Sequence, residues 1–222
     1  PIFMKYITTI WTSIALCIAL LGIRVLDPVL VEQLRLNSFD QYIQSLPDKE
    51  SDVVLLSFGE ETLATYGQYP FPRHTYAQLI SDLRAANAGM IGFTIMFPEA
   101  DRFGGDEVFI SWVNNNGIIL AQDASSRGRS DTAPYVGTAT LGEGDAYDFV
   151  PKYSGLVTNI KELEDAAWGV GLINAGQEVD NITRRIPLLS QINGQLYPSM
   201  PLEIIRVIQD KKSYSLKANY DG

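Results

Sequence analysis

One histidine and one cysteine are present in this chain of 222 residues, and that scarcity sets what chemistry it can do. His74 would have to be the base of any serine or cysteine triad, and it cannot by itself build a multi-histidine metal site. Cys17 stands alone, so an intrachain disulfide, a thiolate metal cluster and a redox pair are all excluded. The densest group of recognition-type residues is Tyr69-Pro70-Phe71-Pro72-Arg73-His74. Its rings and prolines make a rigid apolar wall, and Arg73 offers a planar fork that suits a carboxylate or a phosphate. Asp180, Arg184 and Arg185 form a second group, fit to meet an anion or a partner. Each has a plainer reading. The prolines can fix a tight connection while the aromatics plug a sheet end, His74 can be a bonded residue at a helix start, and the second group can be a turn aspartate beside a charged strand edge. No phosphate-binding Gly-rich loop, kinase glycine signature or Gly-x-Ser-x-Gly elbow is present, so no cofactor is expected.

The elements that must hold these groups belong to a chain with 46% hydrophobic residues, enough for a sizeable core. Seventeen Lys and Arg stand against 26 Asp and Glu, and a net charge of -9 repels phosphate backbones, so nucleic acid is excluded as a partner. From Tyr6 to Ile23 there is no charge, and Lys5 and Arg24 flank the run with stems able to reach the headgroups. A span needs roughly 20 mainly apolar residues, which this segment provides with its snorkelling ends. The competing reading is a cleaved signal peptide, but the apolar centre is long for one and has no small-x-small site. Lipoprotein processing at Cys17 is opposed by the bulky Leu16. Lys5 on one side and Arg24 and Arg35 on the other leave the positive-inside rule without a decision.

Beyond Asp27-Pro28, apolar spacing predicts a juxtamembrane helix from Val29 to Gln44, continuous with the anchor and suited to a dimer seam. Val53 to Phe58 is an apolar, β-branched run suited to a buried strand. A short helix from Glu60 should stop at Gly67, and a second, opened by a Thr75 and Gln78 capping box, should reach Ala86. Met90 to Phe97 reads as the next strand, and strand, helix, strand implies a parallel pair. Asp106 should cap a helix burying Phe109, Trp112 and Val113, before a third strand at Ile118 to Ala121. The Ser-, Gly- and Asp-rich stretch from Gln122 to Asp148 is the least decipherable. Val170 to Asn174 and Arg185 to Ile192 read as strands, with a hairpin turn at Asn193-Gly194. Ser199 should cap a last helix, Met200 to Gln209, with Leu202, Ile205 and Ile208 inward.

These residues resemble one family, the type-two CHASE domains, extracellular sensors associated with cyclases and histidine kinases. Four pieces between Leu34 and Tyr220 carry the resemblance: Val53 to Leu63 leading to Tyr66-Gly67-Gln68-Tyr69-Pro70-Phe71-Pro72-Arg73; Thr75 to Ala86 running into Ile91 to Glu99; Gly169 to Asn174 with Asp180-Asn181 and Arg184 to Leu188; and Gly194 to Met200. The resemblance implies an α/β fold with a partly parallel mixed sheet and flanking helices. It divides the chain into an anchor (1–26), a juxtamembrane helix and linker (27–50) and an extracytoplasmic sensor domain (51–222). It also implies a bacterial inner-membrane receptor, of which this is an N-terminal portion, with further membrane helices and a cytoplasmic output, most often a nucleotide cyclase and otherwise a histidine or Ser/Thr kinase. A homodimer and an unknown small-molecule or protein stimulus are the expected partners. Tyr69, Phe71, Arg73, His74, Glu99, Arg184 and Arg185 are the candidate ligand-contacting residues, and no catalytic residue is expected. A scaffold module without a ligand and, more remotely, a tethered hydrolase based on His74 are the alternatives. Where the family carries aspartates at the ends of its first two strands, this chain has Ser57, Gly59 and Thr94, so the resemblance implies no divalent cation at that strand end.

Overall fold

The computed structural model describes residues 2–125, 138–141 and 149–216. They divide into two units, the first formed by residues 1–56 and 177–184, the second by 57–176 and 185–222.

The first unit opens with α1 (Ile2–Leu26), and its window Thr9–Leu26, with mean hydropathy 2.0, has none of its surface buried. Among the described residues this is the one helix long and apolar enough to cross a membrane. The hydroxyls of Thr12 and Ser13 both donate to the Thr9 carbonyl at 2.8 Å, so these polar side chains are satisfied inside the helix. The expected continuity with the next helix fails at Asp27-Pro28. Asp27 takes φ 39°, because the residue before proline is driven out of the helical region, and Pro28 has no N–H to continue the ladder. α2 (Val29–Ser45) restarts there, with the N–H groups of Val31 and Glu32 on the Pro28 carbonyl. Leu36 is its buried residue, and the partly covered Glu32, Gln33 and Asp40 share that face.

Val53 to Phe58 is not the predicted strand. It pairs with no strand among the described residues, and Val53 to Leu56 are 54–89% exposed. Apolar, β-branched composition makes a segment fit for burial in a sheet, but it names no neighbour, and here no neighbour is supplied.

In the second unit, α3 (Glu60–Tyr66) ends at Gly67, whose φ of 90° only glycine adopts without strain. α4 (Arg73–Ala85) leads to β1 (Ile91–Phe93), α5 (Asp106–Val113) to β2 (Ile118–Ala124), and β3 is Thr138–Leu141. There follow β4 (Lys152–Tyr153), β5 (Leu156–Val157), α6 (Lys161–Ala166), β6 (Gly169–Leu172), β7 (Leu189–Ile192), β8 (Gln195–Pro198), α7 (Met200–Ile208) and β9 (Ser213–Leu216). β2 is central: β1 and β6 lie parallel on its two sides, and β5 meets its far end antiparallel. β4 pairs parallel with β7, β7 forms a hairpin with β8, and β3 pairs parallel with β9. The fold is α/β with a mixed sheet, as the sequence implied. The predicted hairpin forms with Asn193 at φ 49° and Gly194 at φ 84°. Most of the Gln122 to Asp148 stretch lies outside the described residues.

Period-two alternation along β2 builds two cores. Ile118 and Leu120 join Ile91, Phe93, Val170, Tyr76, Ile80, Phe109 and Leu163 on the side of α4, α5 and α6. Ile119 and Ala121 face Met200, Ile204 and Val207 of α7. That corrects the expected face of α7, since Ile205 and Ile208 are exposed while Glu203 is fully buried. The rotation is set by Glu203, which accepts Arg206 Nε at 2.8 Å, Arg206 Nη2 at 2.7 Å and the Tyr214 hydroxyl. β6 lets α7 approach: a Cβ on Gly171 would sit 2.4 Å from the Met200 Cα, and one on Gly169 2.3 Å from the Glu203 carboxylate.

Candidate functional site

The parallel strands β1, β2 and β6 all end on one side, at Phe93, Ala124 and Leu172, and open α/β sheets present their ligand sites beyond such carboxyl ends. The chain leaving β1 runs through Phe97 to Glu99 and Asp101, and these residues fix the start of α4. The expected Thr75 and Gln78 box does not form. Pro72 is the N-cap residue, and Gln78 donates instead to Asp82 at 2.8 Å. The helix start is held from a distance: Asp101 Oδ2 accepts the Arg73 N–H at 3.0 Å and the Gly105 N–H at 3.1 Å, while Oδ1 accepts the Phe103 N–H at 3.1 Å. Burial raises the Asp101 pKa, but these N–H groups outweigh it and hold the carboxyl below its ordinary value. Asp106 likewise serves the loop and not its own helix, accepting the Asp101 N–H at 2.7 Å.

Tyr69, Phe71, Arg73, His74 and Glu99 come together in this unit. Phe71 is buried and meets Tyr69 edge-on at 5.9 Å, Phe58 at 5.4 Å and Tyr76 at 6.2 Å. Tyr66 and Tyr69 stand outside it, both substantially exposed. Tyr76 continues the network inward to Phe93, Phe97 and Phe109, and burial pushes its hydroxyl up to about 12. Arg73 is itself buried. Its guanidinium lies 4.4 Å from the Phe97 ring centre, donates to the Glu99 carbonyl at 2.8 Å and pairs with Asp106 at 3.3 Å. The fork read from sequence as open to a ligand therefore meets acceptors of its own chain. His74 and the Glu99 side are exposed.

Arg184 belongs to the other unit, and Arg185, exposed, begins the return to this one. Expected to face an anion or a partner, Arg184 meets three carboxylates. It donates to Asp40 at 2.8 and 2.6 Å, to Asp180 at 3.0 and 2.6 Å, and to Glu178 at 2.9 Å. Its hydrogen bonds pull the Asp180 pKa down to about 2 and that of Asp40 below its ordinary value.

Sequence reasoning missed a buried polar lattice at the strand ends. Glu164 Oε1 accepts Gln122 Nε2 at 2.7 Å and the Asn159 N–H at 2.9 Å. Asn159 receives the Phe97 N–H at 2.7 Å and donates to the Ala121 carbonyl at 2.9 Å. Beside it Asn174 donates to Asp123 at 2.7 Å and accepts the Ala124 N–H at 2.6 Å. The one signal was Gln122-Asp123 interrupting an apolar strand. This lattice ties the exits of β1, β2 and β6 into a rigid frame, because its members satisfy one another. Among the described residues no three His, Cys, Asp or Glu side chains are grouped to hold a metal ion. The arrangement presents exposed rings and polar edges on a fixed base, which suits recognition more than bond making.

A family model described as "CHASE2 domain" matches residues 14–220. No curated protein and no solved structure matches the chain.

Proposed function

We propose, from the premise that this chain belongs to the CHASE2 family of extracellular sensory domains found in signalling receptors, that it is the sensing part of a bacterial inner-membrane receptor and regulates a cytoplasmic nucleotide cyclase. A sensor domain is not a catalyst. The observation that carries the reading is the reach of the family match: it begins inside the apolar helix and runs through the whole α/β unit. The stimulus contacts the exposed Tyr69 of the aromatic loop, His74 at the start of α4 and Glu99 beyond β1, while Phe71 and Arg73 hold them from beneath. Residues 51–222 act as the sensor domain, and two copies pair in the membrane.

The test is a set of reporter-enzyme fusions after Arg24, expected to read out on the extracytoplasmic side with the apolar segment retained. A mature species beginning after that segment would show a cleaved leader instead. A thermal-shift screen of the detergent-solubilised chain should find a stimulus whose shift is lost in Tyr69→Ala. The reading frame downstream decides between a cyclase and a kinase.

A further inference from the structure

We propose that Val53 to Leu56 is a cleavage site for an extracytoplasmic endopeptidase, one that takes its substrate as an extended strand with aliphatic side chains at the cut. The proposal rests on the sensor reading only for its compartment. Such an enzyme needs chain that is extended, reachable on both faces and without hydrogen bonds of its own, because the cleft supplies those bonds as any strand addition does. Val53 to Leu56 meets each need. Val53 and Val54 are 80% exposed, Leu55 89% and Leu56 54%, so side chains on both faces of the run can enter a cleft. Among the described residues, no N–H or C=O group from Val54 to Phe58 is hydrogen-bonded, and the Val53 N–H reaches only the Ser51 hydroxyl, at 3.1 Å.

Nothing has to open before a cleft closes on this run. Elsewhere an endopeptidase waits for local unfolding, and its rarity slows the cut. The loop 177–184 also carries exposed apolar residues, Val179 and Ile182, but it lacks this freedom. There the Glu178 N–H donates to the Ile182 carbonyl at 3.2 Å, the Asn181 N–H donates to the Glu178 carbonyl at 2.9 Å, and Arg184 holds Glu178 and Asp180. Position gives the cut its consequence. The boundary between the two units falls after Leu56, with α1 and α2 upstream of it. In the reaction water adds to a carbonyl carbon and the C–N bond breaks. The water oxygen stays in the new carboxylate and both its protons go to the new amino terminus. One such cut separates α1 and α2 covalently from every later residue.

The test has two arms. In the first, the full chain in detergent micelles is treated with thermolysin, which cuts before aliphatic residues, and a synthetic peptide of residues 47–60 is the reference. The first cut is expected within 53–56, giving fragments that begin at residue 54, 55 or 56, at a rate within roughly tenfold of the peptide's. Cuts inside α4, β2 or α7 should be at least about a thousandfold slower, as the stability of a folded domain dictates. A first cut elsewhere, or one at 53–56 more than tenfold slower than in the peptide, overturns the proposal, because the run is then covered. A slow rate that rises on dilution names a second copy as the cover. In the second arm, cells produce the chain with a tag after Gly222. Expected is a tagged fragment beginning at 54–56 on the extracytoplasmic side, lost in the Val54→Asp, Leu55→Asp double variant. Intact chain alone overturns the proposal, as does a fragment that persists in the double variant. A fragment in the cytoplasm removes the assigned compartment and this protease with it, whatever thermolysin does.

Discussion

Arg73 and Arg184 are both drawn out of water, and both tie the chain to a residue far away in sequence, yet different physics holds them. Arg73 reaches Glu99 and lies against the Phe97 ring, with one carboxylate, Asp106, at 3.3 Å. Arg184 reaches Asp40, 144 residues away, and the partners of its guanidinium hydrogen bonds are all carboxylates. The first arginine is part of an aromatic core that happens to include a charge. The second is a charge that makes a structure, because without it Asp40, Glu178 and Asp180 would repel one another. Shape should therefore rescue the loss of Arg73 in part, and nothing neutral should rescue the loss of Arg184.

The largest effect should come from the ring that Arg73 shares with the core. Phe97→Ala removes a fully buried side chain and is expected to cost about 3–5 kcal/mol, read as a lowered denaturant midpoint followed by Trp fluorescence. Arg73→Met keeps the stem and the contact with Phe97 but leaves the Glu99 carbonyl and Asp106 without the donor. Its expected cost is about 1–3 kcal/mol, and a value as large as for Phe97→Ala would mean that charge and not packing governs this region. Arg184→Met should leave that midpoint where it is. It should instead speed hydrogen exchange of residues 177–184 and of the α2 amides around Asp40, and a midpoint shift matching that of Arg73→Met would erase the distinction.

Acid gives a finer probe. Asp180 and Asp40 have folded pKa values below their ordinary ones, Asp180 at about 2, so the carboxylates bind fewer protons folded than unfolded. Their contribution is fully present above about pH 4, the ordinary aspartate range. It is lost as the pH falls through the folded value of about 2. Exchange at 177–184 should be flat above that window and rise within it, and Arg184→Met should abolish the dependence. The smallest expected signal is none at all: calorimetric titration with Ca²⁺ or Mg²⁺ should give no heat of binding, and tight binding lost in Glu99→Gln would contradict the reading of Ser57, Gly59 and Thr94.

Much of this was legible in sequence, and the rest failed for reasons that recur. Local signals worked: Asn193-Gly194 specified its hairpin, Gly67 its helix stop, and Phe109 with Val113 the inward face of α5, because each depends on neighbours within a turn or two. Distant partners were invisible. Nothing near Arg73 says that Asp101 will cap its helix; Arg206, three residues beyond Glu203, was a local signal that went unread, while Tyr214 completes the burial of Glu203 from beyond the helix; and Val53 to Leu56 carry no mark of the missing neighbour. Of the candidate residues, Tyr69, Phe71, Arg73, His74 and Glu99 fall in one unit and Arg184 in the other, and which of them face outward was not legible. Asn159 and Glu164 gave no signal, since a buried amide and a buried carboxylate look like surface residues until their donors are in place.

The break at Asp27-Pro28 makes the joint between α1 and α2 a coupling that passes thrust but not torsion. Torque travels along a helix through its unbroken ladder of hydrogen bonds, and Pro28 has no hydrogen to offer that ladder. A push or pull along α1 still moves the foot of α2, because the chain is continuous. One alanine inserted before Asp27 would swing everything above it by roughly 100° if the two helices formed a single rod. Across this joint the swing is absorbed, and the pairing of Arg184 with Asp40 on α2 should survive the insertion.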